Sequence, residues 1–152
     1  MPKYASQTAV SSDKSRSEIE RTLNRYGATS FLYGTRGATA AIQFEIANRR
    51  ILFRLELPDP TSSAFTLTPS GNYKRSATQA KEAWKQACRQ RWRALALILK
   101  AKLEAVEAGI STLETEFLPH TVLPGGGTVA DWALPQVAQS YATGTMPAML
   151  PG

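Results

Sequence analysis

Cysteine, histidine and aspartate are all scarce in this chain. Cys88 is the one cysteine among 152 residues, which excludes an internal disulfide framework and fits a reducing compartment. His120 is the one histidine, so metal centres built on several histidines are out. A mixed site would need His120 together with Glu114, Glu116 or Asp131. Aspartate occurs only as Asp13, Asp59 and Asp131, scattered over segments that read as caps and loops, so the converging carboxylates of a metal-dependent nuclease are missing. The longest strongly apolar stretch, Ala94 to Leu99, is far too short to span a bilayer, and the opening MPKYASQTAV has no apolar signal core. These shortages point away from secreted, membrane-spanning and metalloenzyme classes and towards a cytoplasmic protein.

What the chain does have is apolar residues and positive charge. At 43% hydrophobic it can build a core without cross-links, and its length fits one domain over residues 1–152. Eighteen Lys and Arg stand against twelve Asp and Glu, a net charge of +6 and a pI near 9.7. Such a balance favours polyanions and speeds encounter with them.

The pattern along the chain predicts an α+β fold. Residues 1–11 are small and polar and read as an extended arm. Ser15 and Glu18 form a capping box that opens a first helix, with Ile19, Leu23 and Tyr26 on one stripe and Gly27 as its left-handed stop. A three-stranded antiparallel meander follows: ATSFLY, the turn GTRG, then AAIQFEIA and the alternating run from Ile51 to Leu57. With Asn48-Arg49 as a two-residue turn, Ile46 faces Ile51, Phe44 faces Phe53 and Ile42 faces Leu55. A loop rich in Pro, Ser and Thr leads to a long central helix from Ser76 to Ala108, ended by Gly109. Its apolar stripe is Trp84, Cys88, Trp92, Leu95, Leu99, Leu103 and Val106. Ala87, Ala94, Ile98, Ala101 and Ala105 form an adjoining strip, and the apolar surface is wide enough to predict contact with another helix or subunit. Then come a short helix capped by Ser111 and Glu114, a small hairpin in TVLPGGGTV, and a last helix capped by Thr128 and Asp131, which Pro135 should kink or interrupt. The tail over 145–152, TMPAMLPG, reads as an extended apolar segment.

The strongest functional pattern lies on the long helix. Lys81, Lys85, Arg89 and Arg93 recur every four residues, as a basic ridge would, with Lys74 and Arg75 preceding them. Phosphates strung along a backbone are met by cations on such a rigid track. Arg36, in the GTRG turn, belongs with Arg49, Arg50 and Arg54 in a second basic cluster; loop arginines can clamp a phosphate, but a turn decorated for solubility is the commoner reason for such a set. Trp84 and Trp92 sit in the apolar stripe and read as core, so Tyr73, beside Lys74 and Arg75, is the better candidate to stack on a base. Cys88, in the middle of an apolar stripe, reads as a packed thiol rather than a nucleophile. LPGGGTV lacks the GKS or GKT of a phosphate-binding loop. No catalytic residue, metal or cofactor is expected.

The order helix, three-stranded meander, helix is similar to that of double-stranded RNA-binding domains, whose last helix begins with lysines that meet the RNA backbone. In the matching stretch, SATQAKEAWKQA, Lys81 is the sole cation in the first turns and the adjacent lysine pair is missing. The stretches SEIERTLNRYGATSF, QRWRALALILKAKLEAVEAGI and TGTMPAMLP resemble small proteins of unassigned function encoded in tailed-phage and prophage genomes. That resemblance implies a setting, the cytoplasm of a bacterial host. Small non-enzymatic phage proteins in that setting tend to handle DNA, or to disable defence by sequestering a cyclic nucleotide signal or blocking a host defence protein. The expectation is therefore a non-enzymatic binder of nucleic acid or of a nucleotide, forming a homo-oligomer, with no membrane partner.

Overall fold

A computed structural model describes residues 3–146, with side chains from residue 14 onward. Its elements run α1 (Lys3–Asn24), β1 (Thr29–Arg36), β2 (Thr39–Ile46), β3 (Arg49–Glu56), α2 (Ser63–Thr66), α3 (Ala77–Glu107), α4 (Leu113–Phe117), a 3-10 turn (Leu118–His120) and α5 (Val129–Thr143). The fold is α+β, with one three-stranded antiparallel sheet in the order β1-β2-β3.

The arm expected over residues 1–11 is helical from Lys3. Lys3–Ser12 contains neither proline nor glycine, so nothing stops the helix from extending, and Ser15 lies within it instead of capping it. Ile19 and Leu23 are buried on its inner side. Beyond its last turn Gly27 adopts φ 89°, the left-handed conformation expected there. Of the tail over 145–152, residues 147–152 lie outside the described residues.

In the hairpin, the turn is Ala47-Asn48, both with positive φ (51° and 61°), one residue earlier than expected. Pairing therefore shifts by two: Phe44 faces Ile51, Ile42 faces Phe53 and Ala40 faces Leu55. Under the expected register Thr39 would face Pro58, which has no N–H to give a ladder. The observed register ends at Thr39–Glu56 and leaves Pro58 outside. A two-residue slip keeps each side chain on its own face, so the apolar face is the expected one. β1 runs on through Gly34 to Arg36, with a bulge around Ser30 (φ 59°).

Both long helices cover that apolar face. α1 and α3 lie side by side and parallel: Lys14 and Glu18 stand beside Arg93 and Leu97, while Tyr26 Oη donates to Glu107 Oε2 at 2.6 Å. Ile19 and Leu23 share one core with Ile42, Phe44, Ile51, Trp92, Leu99 and Leu103. Ser76 caps α3, its Oγ accepting from Gln79 N while the Gln79 carboxamide accepts from Ser76 N, each at 3.1 Å. Trp84 Nε1 donates to Pro58 O at 2.7 Å, which fixes the start of α3 to the end of β3. Leu97 and Ile98, on the wide apolar side of α3, stay exposed.

The C-terminal third closes the core at one edge. Thr112, one residue after the expected cap, accepts from Thr115 N. Phe117 meets Phe44 and Phe53 edge-on at 5.9 and 6.1 Å, and the His120 ring stacks on Phe53 at 3.8 Å. Thr121 bridges Ile51, and Val122 N donates to Arg50 O at 2.8 Å, so this segment covers part of the outer edge of β3. The expected small hairpin is a single bridge, Val122–Thr128, around a glycine loop. Thr128 and Asp131 cap α5 as a box, and the helix continues through Pro135 to Thr143.

Candidate anion-binding surface

The four cations of the expected ridge do not share one solvent face. Lys81, Lys85 and Arg89 are half-buried, and Arg93 is exposed. The cause is helical pitch: each four-residue step advances about 40°, so the row turns through about 120° between Lys81 and Arg93. It starts in line with the middle of the buried stripe, Lys81 sharing the angle of Leu99, and ends facing outward. The Lys85 side chain is 16% exposed and pairs with Glu82 Oε1 at 3.4 Å. The Arg89 guanidinium is held by a neutral partner, the Gln86 carboxamide, at 2.6 and 3.0 Å, so it is oriented but keeps its charge. Arg91 and Arg93 have no carboxylate within ion-pairing distance among the described residues. Arg93 is joined by Lys14 of α1, and the two line a groove of about 270 Å³ with Ser15, Glu18, Ala96 and Leu97.

Lys74 and Tyr73 project from a tight loop ahead of α3. Thr68 N donates to Tyr73 O and Arg75 N to Thr66 O, both at 2.8 Å, and Tyr73 and Lys74 are exposed. Arg75 serves the fold, since its guanidinium donates to Ala64 O and Phe65 O at 3.4 and 3.3 Å and so ties α2 to the start of α3.

The second cluster is split by the sheet. Arg36 lies at the end of β1 next to the Gly37 turn, while Arg49 and Arg50 open β3 at the opposite end of the strands. Arg36 shares its end with the start of α3, because Leu57 N donates to Ala38 O at 2.7 Å and Pro58 receives Trp84. Arg54 is committed to Asp131 through two bonds of 3.1 and 3.0 Å.

Residues 74–93 hold seven Lys and Arg and one carboxylate, Glu82. The net charge of that stretch equals the +6 of the whole chain, so the remainder is neutral overall. At the far end of α3, Glu104 and Glu107 reverse the sign.

A second feature arises where Arg49 and Arg50 meet the glycine loop. With Glu45, Asn48, Val122, Leu123, Pro124 and Gly126 they line an open cleft of about 470 Å³. Sequence reasoning took the arginines and the glycines separately. Only the pairing of Thr121 and Val122 with β3 brings them together.

Neither single reactive side chain faces such a surface. Cys88 is buried beside Trp84 and Phe65, and burial pushes its thiol up to about 11. His120 lies against Phe53, and burial and then the Lys102 charge lower its pKa from the ordinary 6.5. Among the described residues no three His, Cys, Asp or Glu side chains come together as a metal site, and no helix is long and apolar enough to cross a membrane. No protein-family model, curated protein or solved structure matches the chain.

Proposed function

We propose that this protein binds nucleic acid by its phosphate backbone, without catalysing a reaction, through the basic half of α3 and the residues around it. The concentration of the entire net charge into residues 74–93 carries this reading. Arg91, Arg93 and Lys14 offer unneutralised charge on two adjacent helices, Arg89 is pre-oriented by Gln86, and Lys74, Tyr73 and Arg36 extend the surface beyond the start of α3. Lys81 and Lys85, at the half-buried start of the row, add to the local potential more than to direct contact. Base reading is not part of the proposal, because the sequence carries no recognised sequence-reading motif. In a phage or prophage setting this activity is that of a DNA-handling accessory protein in the host cytoplasm.

Anisotropy titration of a labelled duplex between 50 and 200 mM salt tests the reading. Affinity should fall with a log–log slope of about −0.9 per phosphate neutralised, and Arg91→Glu with Arg93→Glu should cost at least about tenfold and flatten the slope by about two. A slope near zero, or a variant that binds as well as the parent, would sink it.

The Arg49–Arg50 cleft supports a second reading, in which the ligand is a small nucleotide and the role is to sequester a defence signal. Its volume falls within the range of small-molecule sites, roughly 300–1,000 Å³. Thermal-shift screening separates the two. Under the first reading duplex DNA raises the melting temperature and cyclic nucleotides do not, and under the second the order is reversed and Arg50→Glu abolishes the shift.

A further inference from the structure

α5 stands apart from every other long element. Its fifteen residues include no buried side chain, although a surface helix ordinarily buries an apolar stripe. Ala133, Gln136 and Ser140 are half-buried on its inner side. Its large apolar residues point elsewhere: Trp132, 61% exposed, lies on one flank of the helix, and on the other Leu134 is 64%, Val137 49% and Tyr141 88% exposed. Together with Ala130 these last three are spaced four, three and four residues apart, which is the seam of a two-helix pair. The helix has one charge, Asp131, and Arg54 already occupies it.

We propose that α5 is the surface through which two copies of this chain pair, antiparallel about a twofold axis. Three observations favour a second copy as the occupant. The first is charge. Two molecules of net +6 repel, and a face without cations is where they approach at least electrostatic cost; α5 has no Lys or Arg. The second is size. Antiparallel pairing centred between Leu134 and Val137 sets Leu134 against Val137 and Ala130 against Tyr141, small against large at both ends. Parallel pairing would press Tyr141 on Tyr141 and leave a gap between the alanines. The third is area. Leu134, Val137, Tyr141 and Met146 expose on the order of 500 Å² per copy, so a pair that covered them fully would bury about 1,000 Å², the lower limit of a specific interface. A twofold contact of this kind uses the same patch on both copies and closes on itself. The pairing is reversible, with a dissociation constant in the micromolar range, and it is independent of the anion-binding reading.

Sedimentation of the full chain from about 5 to about 500 μM tests the proposal, and the mass should climb from 16.6 kDa towards twice that value. Leu134→Lys alone and Val137→Glu alone should each stay at 16.6 kDa with unchanged circular dichroism. Mixing the two variants should restore the doubled mass, because the introduced ammonium then faces the introduced carboxylate of the other copy. Should either substitution alter the dichroism, Tyr141→Ser, at the most exposed seam position, replaces it with the same expected loss of pairing. A parent chain that remains a single copy at the highest concentration overturns the proposal, as does a doubled mass that these substitutions leave intact. Failure of the mixture to reassociate overturns the antiparallel arrangement.

Discussion

The first half of α3 and the whole of α5 are helices of similar length with opposite characters. α3 turns Trp84, Cys88 and Trp92 inward, leaves Lys81, Lys85 and Arg89 half-buried beside them and carries Arg91 and Arg93 outward. α5 buries nothing, carries one charge and presents Leu134 and Tyr141 to solvent. The difference lies in what each rests on. Beneath α3 are a sheet and α1, which take up its apolar stripe. Beneath α5 are chiefly the 3-10 turn and the Arg54–Asp131 pair, too little surface to cover a stripe. The two proposals accordingly give the helices different partners, an anion for α3 and a second copy of the chain for α5.

Shaving the same residue type from each helix should separate α3 from α5 by the widest margin. Leu99, 0% exposed, should cost about 2–5 kcal/mol of unfolding free energy on Leu99→Ala, whereas Leu134→Ala should stay within about 0.5 kcal/mol at dilute concentration, both read from urea titrations. Equal losses would mean that α5 is packed as α3 is. A middle-sized effect comes from the turn that supports α5. His120 is disfavoured as a cation in the folded state, so below pH 6.5 the unfolded chain takes up a proton that the folded chain resists. Stability should be full above 6.5 and decline as pH falls towards the lower folded value, and His120→Gln should flatten the melting-temperature curve over that interval. The smallest effect belongs to the latch at the start of α5. The Arg54 guanidinium and then the Thr128 N–H hold Asp131 down at about 2 from the ordinary 3.8. Its contribution is present above 3.8 and is lost as pH falls through about 2. Both partners are about half exposed, so Asp131→Asn should lower the melting temperature only slightly at pH 7, and the difference should shrink steadily as pH falls from 3.8 through about 2.

Long, regular patterns were legible in the sequence. The alternation through β2 and β3 gave the correct buried face even with the turn misplaced by one residue, because the resulting slip of two preserves sidedness. The α3 stripe was equally clear, and six of its seven residues are buried, Val106 being half-buried. The basic row was read less well. A spacing of four looks straight in a sequence but drifts on a helix, and this took Lys81 and Lys85 off the solvent face. The N-terminal arm went wrong because Ser15 and Glu18 have the spacing of a cap, while the helix simply began earlier. Two features had no local signal at all. Arg50 and the glycine loop meet through two backbone contacts between distant segments, and an apolar stretch such as ADWALPQVA reads as core whether or not a core lies beneath it.

The parallel placement of α1 and α3 has a consequence for how the chain is made. Ile19 and Leu23 leave the ribosome early, but Leu99 and Leu103, which complete the same core, follow much later. At elongation rates of roughly 5–20 residues per second, several seconds separate the last strand from the residues that roof it. During that interval Ile42, Phe44 and Ile51 have only α1 above them. Nascent chains should be most prone to clumping then, and slowing translation across the codons for α3 should lower the yield of folded protein without altering the stability of what does fold.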